Sequence, residues 1–172
     1  MKDLMKNWSQ YLLSESSLSR IYQHITEHDT ALLTAFRDDA SDLSSCLEMA
    51  VDSELSNKER NRNLKATLLS LGYGVTAVDG SFIENYGNLD KQVEVKEDSF
   101  FIVNLNDTAD FTEAITSLST KYCQDSVLII PQGGDGAYLY GTNKTDYPGI
   151  DSTIEVGDFF GGSEAEFMTR VR

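Results

Sequence analysis

The sequence predicts an α+β fold, a ferredoxin-like split-βαβ antiparallel sheet with two helices on one face and a helical appendage at the N-terminus. Three observations predict it. Short apolar runs alternate with longer segments of helical periodicity in the order β-α-β-β-α-β, followed by one more hairpin strand. Each of the two longer helical segments carries its apolar residues on one side only, so each has a single face to bury. A chain of 172 residues that is 40% hydrophobic and 24% charged has material for one core domain and an appendage. The expected division is 1–29 for the appendage and 30–172 for the core.

Residues 3–14 and 17–27 read as two short helices. The first puts Leu4, Trp8, Tyr11 and Leu12 on one face, and the second Leu18, Ile21, Tyr22 and Ile25. Ordinary packing on the main domain explains the second stripe. Ala31 to Phe36 is a run suited to a buried strand. Asp38 to Glu54 is acidic and weakly periodic, a loop with a helical turn near Leu43–Met49. Ser56-Asn57-Lys58-Glu59 has the form of a capping box. The helix it opens carries Leu64, Leu68, Leu69 and Leu71 and stops at Gly72.

Val75 to Val78 is a strand ended by Asp79-Gly80, and residues 81–98 read as an extended polar excursion. Ser99 to Leu105 is the clearest strand. Asp107 is placed to cap a helix that buries Phe111, Ile115, Leu118 and Tyr122. Ser126 to Ile130 is a strand, and Pro131 to Gly136 turns the chain into a hairpin strand at Ala137–Tyr140. A short strand near Thr153–Val156 and a helical turn near Ser163–Thr169 complete the prediction.

Composition excludes several classes of function. The net charge of −14 repels phosphate backbones, so no direct nucleic-acid binding is expected. Carboxylates acting as a mimic of DNA would explain the acidity, but so does a solvated acidic surface. No apolar run reaches the ~20 residues of a membrane span, and no export signal is read at the N-terminus. Cys46 and Cys123 are the only cysteines, which suggests a reduced compartment with free thiols and no structural zinc.

Candidate chemistry is sparse. His24-Ile25-Thr26-Glu27-His28 is an HxxEH string, which on a helix places His24 and His28 on one face for a zinc ion and the Glu beside it. With no further histidine the third ligand must be a distant carboxylate, and no metal is assigned. No Gly-x-Ser-x-Gly elbow occurs. Gly133-Gly134-Asp135-Gly136 lacks the lysine of a phosphate loop and reads as a hairpin turn. No cofactor is expected and no catalytic residue is assigned.

One constellation stands out. Arg37, Arg60, Arg62, Glu84, Glu97, Ser99 and Gln124 are polar residues at strand ends or inside apolar motifs, with Ser126 beside them. Guanidinium groups in so acidic a chain suit either an anionic ligand or a buried network that ties helix to sheet; the network is the favoured reading.

Two resemblances add to this. Thr34-Ala35-Phe36-Arg37, Asn57 with Arg60-Asn61 and Leu64, Leu71-Gly72-Tyr73-Gly74, Val78 to Glu84, Glu97 to Phe100 and Tyr122 to Val127 resemble a family of small phage and bacterial proteins of unknown function. Met5 to Glu15 resembles the capsid-targeting leader of internal head proteins in T-even-like phages. That likeness implies prohead-protease cuts after Leu13-Ser14-Glu15 and after Ile25-Thr26-Glu27. The implied function is a non-enzymatic protein, carried in the virion interior and delivered to the host cytoplasm, where it binds and inhibits a host factor. Its partners would be a host protein or phage capsid and core proteins. Two alternatives stay open: a small enzyme or small-molecule binder using the Arg/Glu constellation or HxxEH, and a virion structural protein.

Overall fold

The computed structural model describes residues 20–37, 46, 54–84, 93–145, 148–157 and 167–171, with the side chains of 80–97 and 167–171 left aside. A helix α1 (residues 20–27) precedes β1 (Thr30–Leu33), α2 (Asn57–Ser70), β2 (Gly74–Glu84), β3 (Val93–Val103), α3 (Phe111–Lys121), β4 (Ser126–Ile130), β5 (Ala137–Gly141), β6 (Thr153–Gly157) and β7 (Phe167–Val171). The seven strands form one sheet in the order β6-β5-β4-β1-β3-β2-β7. Every neighbouring pair is antiparallel. Its inner four, β4-β1-β3-β2, have the split-βαβ arrangement that the element order predicts.

Strand alternation gives the sheet two apolar faces. Ala31, Leu33, Phe100, Ile102, Val127 and Ile129 meet Leu64 and Leu68 of α2 and Phe111, Ile115 and Leu118 of α3 in the larger core. Phe101, Val103, Leu128, Ile130 and Leu139 form a second core on the opposite face, with Ile21 and Ile25 of α1. Ile25 is fully buried, so α1 packs on the sheet through the stripe its sequence shows. Among the described residues no helix is long and apolar enough to cross a membrane.

The predicted caps are half right. Ser56 and Glu59 make the reciprocal capping box of α2. The buried face of α2 is Arg60, Asn61, Leu64 and Leu68, whereas Leu69 and Leu71, expected in the stripe, are half exposed. Positions 64 and 68 are one turn apart, while 69 and 71 rotate past the sheet. Gly72, at φ 86, ends the helix, and Tyr73 N–H returns to the Leu68 carbonyl. Asp107 does not cap α3; Asp110 occupies that position without a side-chain bond, and Asp107 (φ 49) turns outward to His28.

Two further expectations are corrected. The polar excursion at 81–98 is largely strand: β2 and β3 stay in continuous register from Gly74↔Val103 to Glu84↔Val93. Polar side chains do not interrupt a ladder whose hydrogen bonds come from the backbone. Residues 167–171 are strand β7, paired to β2 from Val78↔Val171 to Phe82↔Phe167, rather than part of a helical turn.

Candidate functional site

A polar corner forms where the chain leaves β1 and where α3 gives way to β4. Asn61 reaches from the first turn of α2 into it. Its Oδ1 accepts from Ala35 N–H at 2.7 Å, and its Nδ2 donates to the Asp98 carbonyl at 2.7 Å. Thr34 Oγ1 donates to the same carbonyl at 2.8 Å. Asn57 closes a second loop of bonds, accepting from Arg37 N–H at 2.9 Å and donating to the Arg37 carbonyl at 3.2 Å. Gln124 Nε2 donates to the carbonyls of Phe36 and Tyr122, at 3.0 and 3.1 Å.

The corner holds two guanidinium groups. Arg37 Nη1 donates to the Cys123 carbonyl and lies 3.5 Å from the Asp125 carboxylate. Arg60 is only 2% exposed; its Nη2 donates to Asn57 Oδ1, and its Nε has no hydrogen-bond partner among the described residues. Burial, reinforced by the like charge of Arg37, lowers the Arg60 pKa from its ordinary value. Apart from Asp125, the partners described for these groups are backbone carbonyls and Asn57.

Of the predicted constellation, the structure therefore brings Arg37, Arg60 and Gln124 together. Arg62 is exposed on α2. Ser99 pairs with Val78 and has the strand parity of Phe101 and Val103, so it belongs to the face opposite α2. Glu84 pairs with Val93 at the end of β2 and Glu97 pairs with Gly80; their side chains lie outside the described residues. Sequence reasoning left Thr34, Asn57 and Asn61 out of the site, although their signal was present as polar residues within the Thr34–Arg37 and Asn57–Leu64 motifs.

Cys46 and Cys123 are joined by a disulfide across 77 positions, which corrects the expectation of two free thiols. Their Cα atoms are 5.3 Å apart, inside the roughly 4.4–6.8 Å range of bridged pairs. Only the fold brings such distant positions together, so spacing in the sequence carried no sign of the bridge.

A groove opens at the other end of β5. Gly136, Tyr138, Thr153 and Glu155 line a shallow groove of about 360 Å³, largely open to solvent, between β5 and β6. Tyr138 and Glu155 are register partners. Burial pushes the Tyr138 phenol up; the Thr112 hydroxyl bonds to it, and the nearby Asp29 charge adds to the rise. The combination of an aromatic ring, a hydroxyl and a carboxylate without a basic group suits a cationic ligand.

Of the two histidines, His28 has a hydrogen-bonding partner, whereas the buried Nδ1 of His24 has none among the described residues. His28 Nδ1 is 2.8 Å from Asp107 Oδ1, and the His24 and His28 rings are 6.2 Å apart. Among the described residues no group of three or more His, Cys, Asp or Glu could hold a metal. Gly133 N–H donates to the Ile25 carbonyl and fastens the turn to α1, while Gly134 N–H donates to the Pro131 carbonyl and closes the turn on itself. Ile25 and Glu27, at the second expected cut, are helical, with Ile25 in the core. Leu13 and Glu15, at the first, lie outside the described residues.

Comparison with known proteins supplies what the geometry alone does not. A family model described as the S-adenosylmethionine lyase family matches residues 43–168, which hold α2 to β6 and the first two residues of β7. No curated protein matches the chain. The family match overturns the non-enzymatic inhibitor reading and, with it, the description as a viral internal head protein, because a lyase family is defined by a reaction. The short motifs that resembled a family of unknown function fall mostly inside this matched region. With nearly three-quarters of its length matched, the chain belongs to the S-adenosylmethionine lyase family.

Proposed function

We propose that this chain cleaves a carbon–sulfur bond of S-adenosylmethionine without consuming water. The observation that carries the proposal is the family match over residues 43–168. The acidity of the chain agrees with it. The substrate bears a sulfonium, an ammonium and one carboxylate, so it is a net cation, and a protein of charge −14 draws it in.

The β5–β6 groove is the part of the described surface that suits the sulfonium. The Tyr138 ring can face a cation, and Glu155 adds a carboxylate beside it. The polar corner is assigned a structural task, because its described bonds run mainly to backbone carbonyls. A sulfonium is already a good leaving group, so the chemistry needs no activating cofactor.

Two routes break the bond without water. A base can remove a proton from the carbon next to Cγ and expel the thioether, leaving an alkene. Alternatively, the substrate's own carboxylate can attack Cγ: a C–O bond forms, the C–S bond breaks, and the electron pair leaves on sulfur. That second route yields methylthioadenosine and homoserine lactone with no proton transferred. Tyr138, with its pKa raised, stays protonated and is no base, while Glu155 sits exposed in the groove as a neighbour for the cation. The groove therefore favours carboxylate attack, with the protein supplying cation binding and the folded substrate geometry.

Steady-state kinetics with product identification by mass spectrometry test this proposal. Tyr138→Leu should raise KM for S-adenosylmethionine about 3- to 30-fold. Glu155→Gln should raise it a few-fold, and more at low salt. Homoserine lactone, or homoserine formed from it, is the expected second product. A vinylglycine product would overturn the route, and unchanged kinetics in both variants would overturn the groove.

A further inference from the structure

We infer that the Cys46–Cys123 bridge is an exchangeable redox site, in which a small thiol of the glutathione class attacks Cys46 and expels Cys123 as a thiolate. The two sulfurs have unequal surroundings. Cys123 is 1% exposed, while Cys46 is partly exposed, so an incoming thiolate reaches Cys46 first. Exchange requires the other sulfur to leave with a negative charge, and its rate rises when that charge is stabilised.

The corner supplies such stabilisation at Cys123. Asn143 Nδ2 is 3.8 Å from Cys123 Sγ, within hydrogen-bonding range of sulfur. Asn143 is itself held: it is 1% exposed, its amide also donates to Asp125 Oδ1 at 3.1 Å, and its Oδ1 accepts from Lys144 N–H at 2.9 Å. The Arg37 guanidinium binds the Cys123 carbonyl and so brings positive charge to the residue that carries the forming thiolate. Asp125, half in solvent at 3.5 Å from Arg37, offsets part of that charge. Cys123 also sits at φ 56, in the turn where α3 ends, with its N–H bonded to the Thr120 carbonyl. The turn therefore keeps the leaving sulfur in place whether or not it is bridged.

The step balances. A thiolate forms a new S–S bond to Cys46, the Cys46–Cys123 bond breaks, and its electron pair goes to Cys123. A second small thiol then releases Cys46 and leaves as the oxidised small disulfide. In the bridged state residue 46 is fastened to the same corner that receives Arg37 and Gln124, and reduction removes that tether.

The test uses the full chain, purified without reductant, in glutathione buffers of stepped ratio at neutral pH. Acid quenching, alkylation and peptide mass spectrometry locate each sulfur, so the readout is independent of any lyase activity. The expected results are opening under native conditions at millimolar glutathione and a glutathionyl adduct on the Cys46 peptide. The melting temperature should fall by on the order of 5–10 °C on reduction. Asn143→Ala should slow opening about three- to tenfold. Should that variant fail to fold, single-cysteine variants replace it: Cys46 in Cys123→Ser should alkylate quickly, and Cys123 in Cys46→Ser slowly. An adduct on Cys123, opening only in denaturant that unfolds the chain, or two free thiols in the purified protein would each overturn the inference.

Discussion

Asn61 shows how one side chain can determine a junction. It is 6% exposed, satisfies Ala35 N–H and the Asp98 carbonyl, and so joins α2 to the segment that follows β1 and to β3. Asn61→Ala leaves a fully buried amide without its acceptor and should cost about 2–4 kcal/mol, read as a lower urea midpoint at constant m. Arg62→Ala, one residue on but exposed, should stay within about 0.5 kcal/mol. Equal effects at the two sites would contradict this account of the corner. The sequence showed Arg37, Arg60 and Gln124 as out-of-place polar residues, and the structure gathers those three. It could not show their partners, since the bonds from Gln124 to Phe36 and from Arg37 to Cys123 cross 88 and 86 positions. Nor could it separate Arg60 from Arg62, because two residues along a helix turn a side chain from the core to solvent.

At the scale of elements, the caps and turns are where local chemistry decides structure. The Ser56 hydroxyl and backbone N–H hold the exposed Glu59 carboxyl below its ordinary value, with Arg62 adding to the effect. An acid with a lowered folded pKa stabilises the fold above its unfolded pKa, and that contribution fades as pH falls through the folded value. Glu59→Gln should therefore lower stability at neutral pH and flatten the acid limb of a stability–pH curve. An unchanged curve would remove the capping box from the account. Gly141 is a stricter case, because a Cβ there would lie 1.7 Å from the Gly149 carbonyl oxygen. The close approach seats the β5–β6 connection, where Gly141 N–H bonds Ser152 and its carbonyl accepts from Asp151. Gly141→Ala should displace that connection and cost more than about 2 kcal/mol by thermal melt, together with loss of the β5–β6 groove. Element type was legible wherever periodicity was clean, as in α2, α3, β4 and β5. It failed on the outer half of the β2–β3 hairpin, where polar residues ride on a backbone ladder, and at β7, whose pairing partners in β2 lie from 85 positions away at Phe82↔Phe167 to 93 at Val78↔Val171.

For the whole molecule, the antiparallel α+β architecture followed from element order and helix patterning together, because few topologies bury two one-sided helices on a single sheet. The disulfide and the reaction did not. The bridge depends on tertiary proximity, and no short motif announced lyase chemistry. A reaction whose leaving group is built into its substrate calls for no nucleophile elbow, metal spacing or nucleotide loop, so the absence of such motifs does not argue against catalysis. The charge of −14, which a solvated acidic surface explains on its own, also agrees with attraction of a cationic substrate. The most direct measurement is the fate of S-adenosylmethionine incubated with the purified full chain, followed by chromatography and mass spectrometry against a protein-free control. The account predicts protein-dependent, multiple-turnover loss of S-adenosylmethionine with stoichiometric methylthioadenosine. Loss no faster than in the control, from a chain shown to be folded, would contradict it.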